Sequence, residues 1–278
     1  MTQNARRTRI ARRETQVADS VLIAAVLVLG GCGGGNGGGG APSVTPVTNA
    51  SPGGIWNGTD PNDGWQVYGM VSETGAFFLI AGGSNLIGDG VIYVGTFVTQ
   101  ENAIDGDMAA IRQPGYYYPD RAISGTGTIG GSIVERMSVS GAVDVNTDPA
   151  TSTVGGSTFT SQLSLTFSPV YNRPSALATV AGNFTLGTNV LSVSNDGAVF
   201  AQDPGGCVIN GTVSIVDARY NMYDASLTFT GCAGIATGAT LTGLATLDNS
   251  VSPEQLVLGL SNVAGATKVA ILMRLGRT

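Results

Sequence analysis

Val193-Ser194-Asn195-Asp196-Gly197-Ala198-Val199-Phe200 repeats Val71-Ser72-Glu73-Thr74-Gly75-Ala76-Phe77-Phe78, 122 residues earlier in the chain. Each octet holds the end of one apolar run, a polar turn closed by glycine, and the start of the next run, which is the signature of a β-hairpin. Three further matches lie around it. Gly182-Asn183-Phe184 stands against Gly54-Ile55-Trp56 at an offset of 128. Val208-Ile209-Asn210-Gly211-Thr212-Val213 stands against Ile92-Tyr93-Val94-Gly95-Thr96-Phe97 at 116, and Thr242-Gly243-Leu244-Ala245-Thr246-Leu247 against Ser124-Gly125-Thr126-Gly127-Thr128-Ile129 at 118. Four matches in the same order, drifting only as loops change length, point to an internal duplication.

Outward from these octets the chain reads as short β-type runs broken by Gly, Asn and Asp, without long stretches of helical period. Strands are expected over 65–72, 76–81, 91–99, 103–111, 123–129, 133–145 and 159–167, with the second series starting near Tyr171. Each copy supplies about eight strands, so the fold class is all-β, with less than about a tenth helix beyond the leader. Eight short strands joined by hairpins suit an antiparallel up-and-down β-barrel, which leaves no exposed edge; a flattened sandwich is the alternative. Two tandem barrel-like repeats are expected, over 54–170 and 171–278, meeting near 168–182.

The sequence has 278 residues and no histidine. That removes the commonest general base, the Ser-His and Cys-His nucleophile pairs and most zinc sites. No Gly-x-Ser-x-Gly elbow or phosphate-binding loop is present. Asp60-Pro61-Asn62-Asp63-Gly64 and Asp105-Gly106-Asp107 have the look of calcium-loop fragments but lack the full spacing, so they read as turns. Residues 1–31 hold five of the 13 basic and two of the 19 acidic residues, leaving 8 basic and 17 acidic in the rest. Such an acidic body with no basic cluster argues against nucleic acid as a partner. The expectation is a protein with no enzymatic activity, cofactor or metal. A cleft with two convergent carboxylates would instead indicate a hydrolase.

The N-terminus carries Arg6, Arg7, Arg9, Arg12 and Arg13, then a nine-residue uncharged run, 21–29, then Leu29-Gly30-Gly31-Cys32. A charged region, a short apolar region and small residues at the end compose an export signal over 1–31. The run is about half the roughly 20 residues that a membrane-spanning helix needs. Leu29-Gly30-Gly31-Cys32 resembles the lipobox of bacterial lipoproteins. That resemblance implies a lipid thioether on Cys32, cleavage before it and acylation of the new amino group, enough for stable membrane anchoring. Gly33 resembles the sorting position of outer-membrane lipoproteins in Gram-negative bacteria. Residues 32–53, rich in Gly, Pro and Thr, read as a flexible tether.

Cys207 and Cys232 flank a predicted hairpin that turns over 217–222. Tyr223, Ala225, Leu227 and Phe229 alternate with polar residues, which sets a buried face. Pairing that face with Ile209, Val213 and Ile215 needs residue numbers with an even sum, and the two cysteines sum to an odd number. A disulfide is expected if a bulge or strand end near Gly211 or Gly231 absorbs the extra residue. Tyr116-Tyr117-Tyr118 is the candidate binding loop. Its tyrosines either present rigid contact area to a partner or pin the loop to the barrel.

Three further resemblances accompany these features. Gly54-Ile55-Trp56 is similar to the opening of lipocalin and avidin barrels, whose Trp plugs one end. That implies a lumen able to carry a small apolar ligand. A lipobox, a polyglycine tether and two β lobes resemble Gram-negative surface lipoproteins of the transferrin-binding and factor-H-binding kind. Tyr171, Pro174, Gly182, Gly197, Gly206-Cys207 and Cys232 resemble uncharacterised bacterial lipoproteins. These resemblances imply an outer-membrane-anchored, non-enzymatic binding or envelope-structural protein, with the lumen carrier as the alternative.

Overall fold

Period-two alternation of apolar side chains closes two barrels in succession. The structure is a computed structural model that describes residues 48–83, 86, 90–113, 115–264 and 268–278. Cys32, the leader and the tether as far as residue 47 lie outside the described residues. The first barrel comprises β1 (Gly54–Thr59), β2 (Gln66–Val71), β3 (Ala76–Gly82), β4 (Val91–Gln100), β5 (Ala103–Arg112), β6 (Ser124–Val134), β7 (Ser138–Thr147) and β8 (Thr158–Phe167). The second comprises β9 (Gly182–Leu186), β10 (Asn189–Val193), β11 (Ala198–Gln202), β12 (Val208–Ile215), β13 (Tyr223–Thr230), β14 (Ala239–Asp248), β15 (Gln255–Asn262) and β16 (Val269–Arg277). In each, every strand pairs antiparallel with the next and the last returns to the first. The fold is all-β, two up-and-down eight-stranded barrels in tandem. The described helix is one 3-10 turn, Pro169–Asn172, and one α turn, Leu177–Val180, both in the connector.

The duplication survives at the level of single atoms. Gly75 and Gly197 have φ of 84° and 85°, the left-handed region where glycine carries no steric cost. Their N–H groups donate to Ser72 O and Ser194 O, both at 3.0 Å. A Cβ added to them would lie 2.0 Å from Phe97 O and 2.2 Å from Val213 O. Gly95 and Gly211 match as well, with an added Cβ 2.1 Å from Asp107 O and 2.0 Å from Ser226 O.

Three expectations need correction. The fourth match is four residues out of step. Gly95 faces Met108, which faces Gly127, whereas Gly211 faces Leu227, which faces Leu241, an offset of 114 rather than 118. Similarity between alternating Gly/Thr runs does not fix register, because a shift by two or four keeps every residue on its face. Next, β6 does not stop at Ile129. It runs through Gly130 and Gly131 to Val134, and the turn is Glu135-Arg136-Met137, where Arg136 takes φ 52°. Gly131 serves close approach: an added Cβ would lie 2.3 Å from Ser140 O. Finally, the tether is not free as far as residue 53. Ala50 is buried and donates its N–H to Glu101 O at 2.8 Å, and Asn49 Oδ1 accepts from Glu101 N–H at 2.8 Å.

Large side chains fill both lumens. The first holds Trp56, Phe77, Leu79, Tyr93, Phe97 and Leu165, with Trp56 edge-on to Phe167 at 5.5 Å. The second holds Phe184, Leu227, Phe229, Leu241, Leu256 and Leu258. The barrels also share an outer core, in which Tyr68, Met70, Phe78 and Ile80 meet Met222, Leu244, Val257 and Ala270. Phe78 lies so close to Gly259 that a Cβ there would sit 2.5 Å from its ring. The connector seals the joint. Tyr171 donates its hydroxyl to Glu73 Oε1 at 2.9 Å and stacks on Tyr220 at 4.9 Å. Arg136 bonds the same Glu73 oxygen at 3.2 Å and caps the Tyr220 ring at 4.5 Å.

Candidate functional site: a groove between the barrels

The outward residues of neighbouring strands line up in rungs, and some of those rungs are polar. On the first barrel Thr96 faces Asp107 and Asp107 faces Thr128. On the second Thr212, Ser226, Thr242 and Ser261 form one rung, and Ser214, Asp224 and Leu244 the next. These outer faces flank a groove of about 1110 Å³ between the barrels. Phe78, Val94, Ala109 and Leu244 supply apolar wall, and Val263 and Lys268 line it from the β15–β16 hairpin. The volume suits a small organic molecule or a short extended chain.

Two carboxylates stand on opposite barrels. Asp107 and Asp224 both line the groove on exposed outward positions of β5 and β13, and neither carboxylate has a side-chain hydrogen bond or ion pair with a described residue. Partial burial pushes the Asp224 carboxyl above its ordinary value, although the residue stays exposed on the outer face. Among the described residues no cluster of three or more His, Cys, Asp or Glu could hold a metal ion.

The residues singled out from sequence lie elsewhere. Tyr116 and Tyr117 are exposed, and Arg121 lies over the Tyr117 ring at 5.9 Å. Tyr118 is buried, stacks on Phe159 at 5.4 Å and donates its N–H to Ala122 O at 2.9 Å. The aromatic loop is thus pinned at the far end of β5 by its third tyrosine. Burial raises the Tyr118 hydroxyl well above the usual tyrosine range. Cys207 and Cys232 form a disulfide with Cα atoms 4.4 Å apart. β12 and β13 pair with an even sum as far as Val208 and Thr230, and Gly231, at φ 69°, absorbs the odd residue. Asp60 acts as a turn residue: its carboxylate accepts from Asn62 N–H at 2.8 Å and Gln162 N–H at 3.2 Å, and from the Ser161 hydroxyl.

Sequence reasoning singled out Asp107 only as a turn fragment and did not single out Asp224 at all. The available signal was the run of outward Thr, Ser and Asp on β4–β6 and β12–β14, where a solvated face was the simplest reading. That these faces look at one another depends on how the barrels dock, which no local pattern encodes. Comparison with family models, curated proteins and solved structures finds no match for this chain.

Proposed function

We propose that the chain is a lipid-anchored, non-enzymatic envelope protein of a Gram-negative outer membrane, and that its body binds a ligand or partner in the groove between the barrels. The observation that carries the binding half is where the space lies. Both lumens are occupied by their own side chains, whereas about 1110 Å³ lies open between the outer faces. The filled lumens weigh against the lipocalin-like carrier. The anchoring half rests on the charged leader, the short apolar run and the lipobox ending in Cys32.

Each half has its own test. Cys32→Ala should release the protein from the membrane fraction; retention after a high-salt wash would contradict lipid anchoring. Thr126→Trp places a large ring on the exposed outer face of β6 in the groove. Envelope components retained by the wild-type protein should be lost with this variant. Equal retention by both would remove the groove from the account.

A further inference from the structure

We infer that the groove takes an amphipathic organic cation, an ammonium group carried on an apolar chain or ring. This rests on the groove being the binding site and adds the chemistry of the occupant.

The walls specify both halves of such a molecule. Phe78, Val94, Ala109 and Leu244 offer apolar contact. Asp107 sits directly between Thr96 and Thr128 across β4, β5 and β6. One carboxylate flanked by two hydroxyls presents three acceptor groups, enough to take up the three N–H donors of a primary ammonium. Asp224 on the opposite wall lies between Ser214 and Leu244, pairing a second carboxylate and hydroxyl with an apolar neighbour. Among the described residues the charged groups lining the groove are Asp107, Asp224 and Lys268, so a carboxylate remains in excess over the single ammonium. Both carboxylates stand on exposed outward positions, and an entering cation gives them a charge-assisted hydrogen-bond partner whose apolar chain covers them from water. The partial burial that raises Asp224 is offset by the bound cation, so binding should release protons and weaken as pH falls into the carboxylate range.

The test uses the full chain in phosphatidylcholine nanodiscs, with empty discs subtracted, and calorimetric titration of three matched probes. These are 4-phenylbutylammonium, 4-phenylbutanol and 4-phenylbutyrate. The amine should bind at least about tenfold more tightly than the alcohol. Asp107→Asn and Asp224→Asn should each weaken the amine several-fold and leave the alcohol unchanged. Thr126→Trp should weaken amine and alcohol alike, whereas Val98→Trp, on an exposed outward position of β4 away from the groove, should change neither. Thermal unfolding of each variant separates lost binding from lost fold. Equal binding of amine and alcohol, both blocked by Thr126→Trp, would overturn the cation and keep the groove. Tighter binding of the carboxylate would assign the groove to anions through Lys268 and overturn it too. No binding of any probe, or binding indifferent to Thr126→Trp, would overturn the groove reading and the cation together.

Discussion

The two barrels share a topology and fill their lumens in opposite ways. Paired rungs make the contrast concrete. Phe97 faces Gly106 in the first barrel, where the second has Val213 facing Ala225. Tyr93 faces Ala110 in the first, and Ile209 faces Phe229 in the second. The glycine rung is kept: Gly95 faces Met108, and Gly211 faces Leu227. The first barrel sets rings against glycine and alanine, so tightly that a Cβ on Gly106 would lie 2.6 Å from Phe97 Cβ. The second relies mainly on leucines, with Leu241, Leu247, Leu256, Leu258 and Leu260 fully buried beside Phe184, Tyr223 and Phe229, and adds a disulfide. Volume is shifted between rungs rather than held within each pair: Val213–Ala225 is close in size to Phe97–Gly106, whereas Ile209–Phe229 is bulkier than Tyr93–Ala110, and each closed lumen is filled by its own set.

The largest expected effect tests that lesson. Phe97→Ala should destabilise the first barrel by about 3–5 kcal/mol, because the cavity left opposite Gly106 has no side chain to collapse into it. Phe97→Val should recover part of that loss, whereas adding Gly106→Ala to it should cost further stability, because a Cβ at 106 would lie 2.3 Å from Thr96 O and 2.6 Å from the Cα and Cβ of residue 97. Denaturant unfolding of the three variants measures this. A double variant as stable as Phe97→Val would show that the strands at this rung yield.

Reduction of Cys207–Cys232 should come next, at about 2–4 kcal/mol from the closed loop. Hydrogen exchange followed by mass spectrometry should show faster exchange in β12 and β13 while the first barrel is unchanged. Loosening of both barrels together would mean that they unfold as one cooperative unit.

A third test addresses the joint. Tyr171→Phe removes the hydroxyl that meets Glu73, a hydrogen bond to a charged group, and should cost about 1.5 kcal/mol. Glu73 keeps Arg136, so the effect should stay at the lower end for such bonds. Exchange should rise at the Glu73 turn and around Tyr220 and leave the strands of both barrels protected.

The smallest effect separates the barrels by pH. Desolvation of Asp120 would raise its carboxyl, but hydrogen bonds from Thr147, Ala122 N–H and neighbouring serines outweigh it and lower the value. A depressed carboxylate stabilises the fold above its unfolded value, about 3.9, and that contribution is lost as pH falls through the lower folded value. Acid should therefore loosen the loop 148–157 in the wild-type protein, and Asp120→Asn should flatten this dependence. Tyr118 and Phe159, stacked beside that loop, give the readout.

Much of this architecture was legible in the chain because it is written locally. Gly75 and Gly197 mark turns that only a left-handed residue fits, and Tyr223 to Phe229 alternates as an inward and an outward face should. The odd sum of Cys207 and Cys232 even required the extra residue that Gly231 supplies. Register along the Gly/Thr-rich strands was not legible, since Gly125 and Gly127 are equivalent under a two-residue slip. Nor was the groove. Asp107 and Asp224 are 117 positions apart, and they share a cleft only because Phe78 packs on Gly259 and Tyr171 bridges Glu73 to Tyr220.

That cleft is where the account is most exposed. A crystal structure of the protein soaked with 4-phenylbutylammonium should show the ring against Phe78, Val94 and Leu244, with the ammonium nitrogen about 2.7–2.9 Å from the Asp107 or Asp224 carboxylate. Density inside either barrel lumen, or against Tyr116 and Tyr117 instead of the groove, would contradict it.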